Sequence, residues 1–125
     1  MFELKVITRF AAAHRLTMVA QQCENLHGHN WKVELCVAGP SLDAGGVLMD
    51  FGIVKQHVRE VVGKLDHTYL NEHPVFCKTP PSSENMAVFI AEEVQKLLGQ
   101  SDRIWVSRVH VWESDDSCAT YVVER

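Results

Sequence analysis

Two stretches of the chain alternate between apolar and other residues over lengths typical of long β-strands. Because successive side chains of a strand point to opposite faces, positions of one parity share a face. In residues 2–14 the apolar face ends in His14, and in residues 27–38 it begins with His27 and His29. The other members of these two faces are Phe2, Leu4, Val6, Phe10 and Ala12, then Trp31, Val33, Leu35 and Val37. We therefore predict two strands that each present histidine beside apolar residues.

The three histidines meet if the two strands pair antiparallel, since the end of the first then lies against the start of the second. Neutral imidazole is a favoured zinc ligand, and a catalytic zinc usually takes three protein ligands and leaves one position open. The pattern thus predicts a metal site at His14, His27 and His29. Two alternatives stay open: His14 as a core residue bonded to backbone, and His27-Gly28-His29 as a polar turn.

Cys23 lies four residues before His27, within reach of the same site. A thiolate that ligated zinc would close the site and make it structural, whereas an unligated thiol beside three histidines leaves the metal open to substrate. Burial as an inert thiol is the third alternative. No metal or redox motif surrounds Cys36, Cys77 or Cys118, and we expect reduced thiols there.

The chain as a whole excludes several classes of function. Its 125 residues predict a single domain, residues 1–125, and its net charge of −4 comes with basic residues scattered singly, so we expect no nucleic-acid partner. It has no apolar run of bilayer length, and its first residues lack the apolar core of a signal peptide. We expect a cytoplasmic protein that does not enter the membrane.

The remaining elements follow from capping residues and periodicity. Asp50 is expected to cap a helix, and Ser82 or Ser83 a second helix that ends near Gly99. The apolar stripes of these helices are Val54, Val58, Val61, Val62 and Leu65, then Met86, Ile90, Val94 and Leu97. Residues 104–113 and 118–124 predict a hairpin. The expected fold is α+β, in the order ββααββ, with a four-stranded antiparallel sheet and two helices on one face.

Both faces of the predicted sheet carry apolar residues. Val109 and Val111 share one parity, and Ile104, Val106 and Trp112 share the other. Two helices cover only one face, so the second needs another cover. Closing several sheets into a barrel would supply it, which predicts a homo-oligomer.

Asp66-His67 and Glu113 have ordinary structural interpretations on their own. A histidine that follows a helix interacts with the helix dipole, and a carboxylate at a strand end is usually exposed. Six motifs, however, stand in an order that resembles the 6-pyruvoyl-tetrahydropterin synthase family, and more closely its bacterial 6-carboxy-tetrahydropterin synthase branch. The motifs are Phe10-Ala-Ala-Ala-His14-Arg-Leu, Cys23-Glu-Asn-Leu-His27-Gly-His29-Asn, Met49-Asp50-Phe51, Leu65-Asp66-His67-Thr-Tyr-Leu-Asn71, Ser82-Ser-Glu-Asn85 and Val111-Trp-Glu113.

The resemblance implies a role for each motif. Zinc would be bound by His14, His27 and His29, the catalytic group would be Cys23, Asp66 and His67, and substrate would be bound by Glu113, which anchors the pterin ring, with Ser82 and Ser83. It implies the tunnelling fold, with trimers that form a twelve-stranded barrel, two trimers stacked head to head, and active sites between subunits. Pro80-Pro81-Ser82-Ser83 departs from the family's more usual Pro-Thr-Ser.

The substrate implied by the resemblance is 7,8-dihydroneopterin triphosphate. The carboxy branch eliminates triphosphate and cleaves a carbon–carbon bond, giving 6-carboxytetrahydropterin and acetaldehyde for queuosine (7-deazaguanine) biosynthesis, whereas the pyruvoyl branch keeps the carbon chain. The motifs do not separate these two reactions. A non-catalytic zinc-binding or pterin-binding protein is the alternative from another class.

Overall fold

Two long antiparallel strands form the centre of the fold, as the alternation predicts. The computed structural model describes residues 1–16 and 26–125. Strand β1 runs Phe2–His14 and strand β2 runs His27–Gly39. They pair over their whole length, from Phe2 opposite Gly39 to His14 opposite His27. The predicted register is therefore confirmed, and it brings the histidine-bearing ends of both strands together.

The other elements follow in the expected order, with one addition. Helix α1 spans Phe51–Gly63, strand β3 Thr68–Tyr69, helix α2 Ser83–Leu98, strand β4 Trp105–Ser114 and strand β5 Ser117–Val122, with 3₁₀ turns at Leu70–Glu72 and Pro74–Phe76. The sheet order is β3-β1-β2-β4-β5. The α+β fold is confirmed, but the sheet has a fifth strand, since β3 pairs parallel to β1 at Ala12 and Ala13. The expectation of a purely antiparallel four-stranded sheet is wrong on this point.

The helix caps are those that the sequence predicts. Asp50 accepts a hydrogen bond from the Gly52 amide at 2.8 Å, and the Ser82 hydroxyl accepts one from the Asn85 amide at 3.1 Å. Gly99 ends α2 with φ of 80°, a backbone conformation that favours glycine. Leu97, predicted in the apolar stripe, is 40% exposed, while the neighbouring Leu98 packs against the core. The helix therefore ends with its last apolar contact one residue later than expected.

Both helices cover the same face of the sheet, and the core lies between the helices and the sheet. It contains Trp31, Val33 and Leu35 of β2, Val54 and Val58 of α1, and Met86 and Ile90 of α2, together with Val106, Val109 and Val111 of β4. None of the helices in the described ranges is long and apolar enough to cross a membrane.

A β-bulge in β4 changes which residues share a face. Cys36 lies opposite Arg108, but the next residue of β2, Val37, lies opposite Val106, so that Ser107 is an extra residue. Val106 and Val109 consequently both face the helices and are fully buried. The predicted second apolar face containing Ile104, Val106 and Trp112 is therefore wrong: Val106 belongs to the core and Ile104 packs against it.

The face of the sheet away from the helices carries ionic contacts. Lys5 lies 3.6 Å from Glu34, and Arg108 lies 3.2 Å from Glu3. The Trp112 indole donates to Glu34. Of the three residues predicted to make this face apolar, only Trp112 lies on it, so that predicted set is no longer an argument for oligomerisation.

Candidate metal centre and active site

Three imidazoles converge where β1 ends and β2 begins. His14 and His27 are directly opposite each other in the ladder, and their Nε2 atoms are 3.0 Å apart. His29 lies two residues further along β2, on the same face, with its ring centroid 4.4 Å from that of His27. The strand register therefore produces the cluster that the sequence predicts.

The carboxylate of Glu113 completes the cluster. Glu113 lies near the end of β4, and its Oε1 is 2.8 Å from the His29 Nε2, 3.4 Å from the His14 Nε2 and 3.8 Å from the His27 Nε2. One ligand atom from each of the four residues lies within 4.8 Å of the other three, a group that could hold a metal ion. Sequence reasoning did not predict this position for Glu113, because Glu113 lies 84 to 99 residues away from the three histidines in the chain.

The second ring nitrogen of His14 is held by backbone. Nδ1 lies 2.8 Å from the carbonyl oxygen of Pro81. A carbonyl only accepts hydrogen bonds, so Nδ1 carries the proton and the neutral ring has its lone pair on Nε2. A metal-ligating histidine commonly has such a partner, which fixes its tautomer and ring orientation. Sequence reasoning missed Pro81, since a main-chain carbonyl leaves no signature in the sequence.

The cluster has a buried side and an open side. The His14 side chain is 1% exposed, whereas those of His27 and His29 are 33% and 22% exposed. Fully buried Trp31 lies behind the imidazoles, edge-on to His14 and His29 with ring centroids 5.0 Å away, and its indole donates to the Ala12 carbonyl at 3.2 Å. Trp31 therefore closes the cluster on its inner side, and the partly exposed side chains of His27 and His29 form its solvent side.

Asp66 and His67 form a pair at the neighbouring edge of β1. Asp66 Oδ1 accepts a hydrogen bond from the Ala11 amide at 2.9 Å, and the His67 amide donates to the Ala11 carbonyl at 2.6 Å. Asp66 Oδ2 lies 3.0 Å from His67 Nδ1. The Ala11 amide, followed by the His67 ring, holds the pKa of the Asp66 carboxyl below its usual value.

The Asp66-His67 pair contacts β1 at Ala11, a short distance along the strand from His14. Ala11 is three residues before His14, which corresponds to about 10 Å along a strand. His67 has a φ of 57°, a conformation uncommon outside glycine, and its side chain is 82% exposed. The structure thus places His67 with an exposed side chain and a strained backbone at the edge of β1 that faces away from β2.

The Asn71 side chain binds the backbone of Arg15, the residue that follows His14. Its side-chain Oδ1 accepts from the Arg15 amide at 2.8 Å, and its Nδ2 donates to the Arg15 carbonyl at 2.7 Å. The Asn71 side chain therefore extends the contact between the two segments to Arg15, two residues beyond the last pair of β1 with β3. This contact joins the segment of Asp66 and His67 to the start of the connection between β1 and β2.

The structure describes two of the three remaining predicted site residues, Ser82 and Ser83. Cys23 lies outside the described residues. The Ser82 hydroxyl caps α2, while Ser83 lines a cavity of about 180 Å³ together with Glu84, Glu113 and Cys118. The cavity thus adjoins the carboxylate that also touches the imidazoles.

The donor set suits a divalent transition metal. Imidazole nitrogens and one carboxylate oxygen are ligands that zinc takes, and the protonated Nδ1 of His14 leaves the correct nitrogen available. The fold and the site together define a single-sheet α+β protein with a partly open three-histidine, one-carboxylate centre beside an Asp-His pair.

Comparison with known proteins gives the family. The model of the family described as 6-pyruvoyl tetrahydropterin synthase matches residues 3–124, and the chain belongs to this family. It is 38% identical over 114 residues to a candidate 6-carboxy-5,6,7,8-tetrahydropterin synthase of Archaeoglobus fulgidus, covering 91% of this chain and 90% of that protein. It is 36% identical over 102 residues to the 6-carboxy-5,6,7,8-tetrahydropterin synthase of Bacillus subtilis, covering 78% and 68%.

A solved structure supports the fold. The 6-pyruvoyl tetrahydropterin synthase of Caenorhabditis elegans superposes with a TM-score of 0.84 at 23% sequence identity, covering 98% of this chain and 96% of that one. The tunnelling fold is therefore confirmed. The enzymes of the family are lyases, and the chain is a lyase of this family.

Proposed function

We propose that the protein is a zinc-dependent 6-carboxy-5,6,7,8-tetrahydropterin synthase that acts on 7,8-dihydroneopterin triphosphate. The convergence of three imidazole Nε2 atoms and the Glu113 carboxylate is the observation that carries the proposal. The names of the two relatives favour the carboxy reaction over the pyruvoyl reaction. The pathway we propose is queuosine (7-deazaguanine) biosynthesis in the cytoplasm.

Zinc would be held by His14, His27 and His29. When bound, it supplies Lewis-acid chemistry that stabilises negative charge developing on the oxygens of the substrate side chain. The Pro81 carbonyl supports this assignment because it keeps the proton of His14 on Nδ1. The exposure of His27 and His29 leaves room for substrate on the solvent side.

Cys23, Asp66 and His67 would move the protons. Cys23 as a thiolate would act as general base, with its pKa lowered by neighbouring positive charge. Asp66 is already an acceptor for the His67 ring, so it can orient that ring and stabilise its protonated form. His67 would then exchange protons with the substrate from an exposed position, and the apparent pKa values would belong to the group.

Glu113 and Ser83 would bind the pterin ring. A carboxylate can accept two hydrogen bonds from the guanidine-like edge of a pterin, which fixes the ring and directs its side chain. The cavity between Glu113 and Ser83 is next to the imidazoles, as this role requires. Ser82 would contribute through the helix cap that positions Ser83.

Association into trimers, or dimers of trimers, is part of the proposal: the number of copies is what the family resemblance implies, and the sheet edges support association. Within residues 1–16 and 26–125, β3 covers the outer edge of β1 only at Ala12 and Ala13, and β5 forms the other edge of the sheet. Open strand edges pair readily with other strands, and pairing between copies would close a barrel. Sedimentation of the purified protein as a monomer at micromolar concentration would exclude this assembly.

The decisive experiment identifies the products. Zinc-loaded protein is incubated with 7,8-dihydroneopterin triphosphate, and triphosphate, acetaldehyde and pterins are quantified. Equal amounts of acetaldehyde and 6-carboxytetrahydropterin support the proposal. A 6-pyruvoyl product without acetaldehyde would assign the pyruvoyl reaction instead, and recovery of intact substrate would indicate a non-catalytic binding protein.

Two variants separate metal binding from proton transfer. Cys23→Ala is expected to keep zinc and lose most turnover, whereas His27→Ala is expected to lose both. Loss of zinc from Cys23→Ala would instead make the site a closed structural one. Full activity of a metal-free His27→Ala protein would refute the role of zinc.

A further inference from the structure

The turn that precedes α2 is held by the side chain of Asn85. Asn85 Nδ2 donates a hydrogen bond to the Pro80 carbonyl at 2.8 Å, and the Ser82 amide donates to the same carbonyl at 2.9 Å. The next carbonyl along the chain, that of Pro81, is the one that accepts from His14 Nδ1. Pro81 is buried and Pro80 is exposed. One amide side chain therefore fixes the two-proline turn on its solvent side, while the turn contacts the histidine on its inner side.

This contact of Asn85 is additional to helix capping. The Asn85 backbone amide already makes the capping bond with the Ser82 hydroxyl, at 3.1 Å. The side chain donates instead to the Pro80 carbonyl, which lies outside the helix. Pro80 is exposed, so solvent could hydrate this carbonyl if Asn85 did not bind it. Since proline lacks an amide proton, neither Pro80 nor Pro81 can donate a backbone hydrogen bond that would hold the turn. The Asn85 side chain therefore adds a second donor at the Pro80 carbonyl, beside the Ser82 amide, and it is the one that ties the turn to helix α2.

We infer that Asn85 is a positioning residue for the metal centre: by restraining Pro80-Pro81, it keeps the Pro81 carbonyl on His14 Nδ1 and the lone pair of His14 on Nε2. The inference rests on the proposed function only in that His14 serves as a metal ligand. Partners of ligating histidines typically change metal affinity by 10-fold to 100-fold when removed. Asn85 acts through the turn, so we expect the lower end of that range.

Asn85→Asp is the variant that tests the inference. It has the same shape and suits the first turn of a helix, where a negative charge interacts favourably with the dipole. It cannot donate to the Pro80 carbonyl, and its charge repels that oxygen. Gln95→Ala is the matched control in the same helix, because Gln95 accepts from the Val106 amide at 2.9 Å and donates to the Gly99 carbonyl at 2.7 Å, at the other end of α2.

Two measurements are made on each full-length protein. Zinc affinity is determined by competition with a fluorescent chelator, and the ring tautomer of His14 is read from imidazole ¹⁵N shifts in the metal-free protein, with thermal unfolding as a check of folding. We expect about tenfold weaker zinc binding for Asn85→Asp and a His14 ring no longer held in the Nδ1-protonated form. Gln95→Ala is expected to lower the unfolding temperature and leave both readouts unchanged.

The outcomes separate this inference from the proposed function. Zinc affinity of Asn85→Asp within twofold of the parent, or an unchanged His14 tautomer, overturns the positioning role. An equal loss of zinc affinity in Gln95→Ala also overturns it, since general loosening of α2 would then be the cause. If the parent binds no zinc, the proposed metal centre fails, and the tautomer comparison alone decides whether Asn85 orients His14.

Discussion

Asp66 accepts a hydrogen bond from the Ala11 amide with one carboxylate oxygen, at 2.9 Å, and lies 3.0 Å from His67 Nδ1 with the other. The same carboxylate therefore docks the segment before β3 onto β1 and orients the exposed imidazole. Docking of the segment depends on Oδ1, and orientation of the His67 ring depends on Oδ2. A substitution that alters one oxygen and keeps the other can therefore separate the two roles.

Asp66→Asn should reduce turnover far more than stability. The amide oxygen can still accept from Ala11, but the negative charge that supports a protonated His67 is lost. General acid–base groups contribute 10²-fold to 10⁴-fold, so we expect kcat to fall by about 100-fold or more. Triphosphate release measures the rate, and thermal unfolding measures stability. Turnover within a few-fold of the parent would remove the Asp66-His67 pair from the catalytic group.

Asp66 should also give the protein an acid-labile contribution to stability. The Ala11 amide, as the main cause, lowers the folded-state pKa of this carboxyl, so the ionised form stabilises the fold at pH values above its usual pKa. That contribution is lost as the pH falls through the folded-state pKa, below about pH 4. The difference in unfolding free energy between parent and Asp66→Asn, measured in urea, should be constant above about pH 5 and shrink below pH 4. A difference that grows on acidification would contradict this sign.

Glu113→Gln should distinguish a pterin anchor from a fourth metal ligand. The carboxylate touches the imidazoles, and three histidines suffice for a zinc site. We expect zinc affinity to stay within a few-fold, while KM rises about tenfold or more because charge-assisted hydrogen bonds to the pterin are weakened. Zinc competition and steady-state kinetics give the two values. A 100-fold loss of zinc affinity with unchanged KM would assign Glu113 to the metal.

The cysteines should differ sharply in reactivity. Cys36 is fully buried, and burial raises the pKa of its thiol to about 11, whereas Cys77 and Cys118 are exposed. In a Cys77→Ser, Cys118→Ser protein at pH 8, a disulfide reagent should therefore react rapidly with one thiol, that of Cys23. The rapid reaction should disappear when Cys23→Ala is added to this variant. Modification of Cys36 requires unfolding. The absence of any fast thiol would argue against a Cys23 thiolate.

Gly39→Ala should destabilise the fold. A Cβ at this position would lie 2.1 Å from the Arg103 carbonyl oxygen and 2.6 Å from a Leu48 methyl, so backbone must move. Overpacking of this kind costs about 2 to 3 kcal/mol. Gly63→Ala is the control, because no atom lies within 4 Å of its Cβ position and alanine favours helix by up to about 1 kcal/mol. Urea unfolding at constant m-value measures both. Equal stability of Gly39→Ala and the parent would contradict the close approach.

The sequence predicts the parts of the fold that periodicity and capping encode. Alternation in residues 2–14 and 27–38 predicts the two strands and, once they pair, the meeting of His14 with His27. It could not predict that Ser107 is an extra residue in β4, since a bulge shifts the parity without a distinct signature, and the apolar face was therefore misassigned. The pairing of β3 with Ala12 was not predicted, because a strand of two residues is too short to show an alternating pattern.

The candidate site likewise has features that the sequence predicts and features that it does not. Histidines on one strand face are visible in the sequence, and so is the Asp66-His67 motif. The positions of Glu113 against the imidazoles and of the Pro81 carbonyl on His14 depend on tertiary packing between residues 67 to 99 positions apart in the chain. Main-chain atoms and rotamers of distant residues are outside what patterns of residue types encode.

The ladder that sets His14 opposite His27 consists of thirteen residue pairs of β1 and β2 and includes no residue of the segment that joins them. Insertions, deletions or even new chain termini introduced between residues 16 and 26 would leave the imidazoles in register, because hydrogen bonds along thirteen residue pairs hold them. A chain built this way can change the length of the segment that carries Cys23 without disturbing the imidazole cluster.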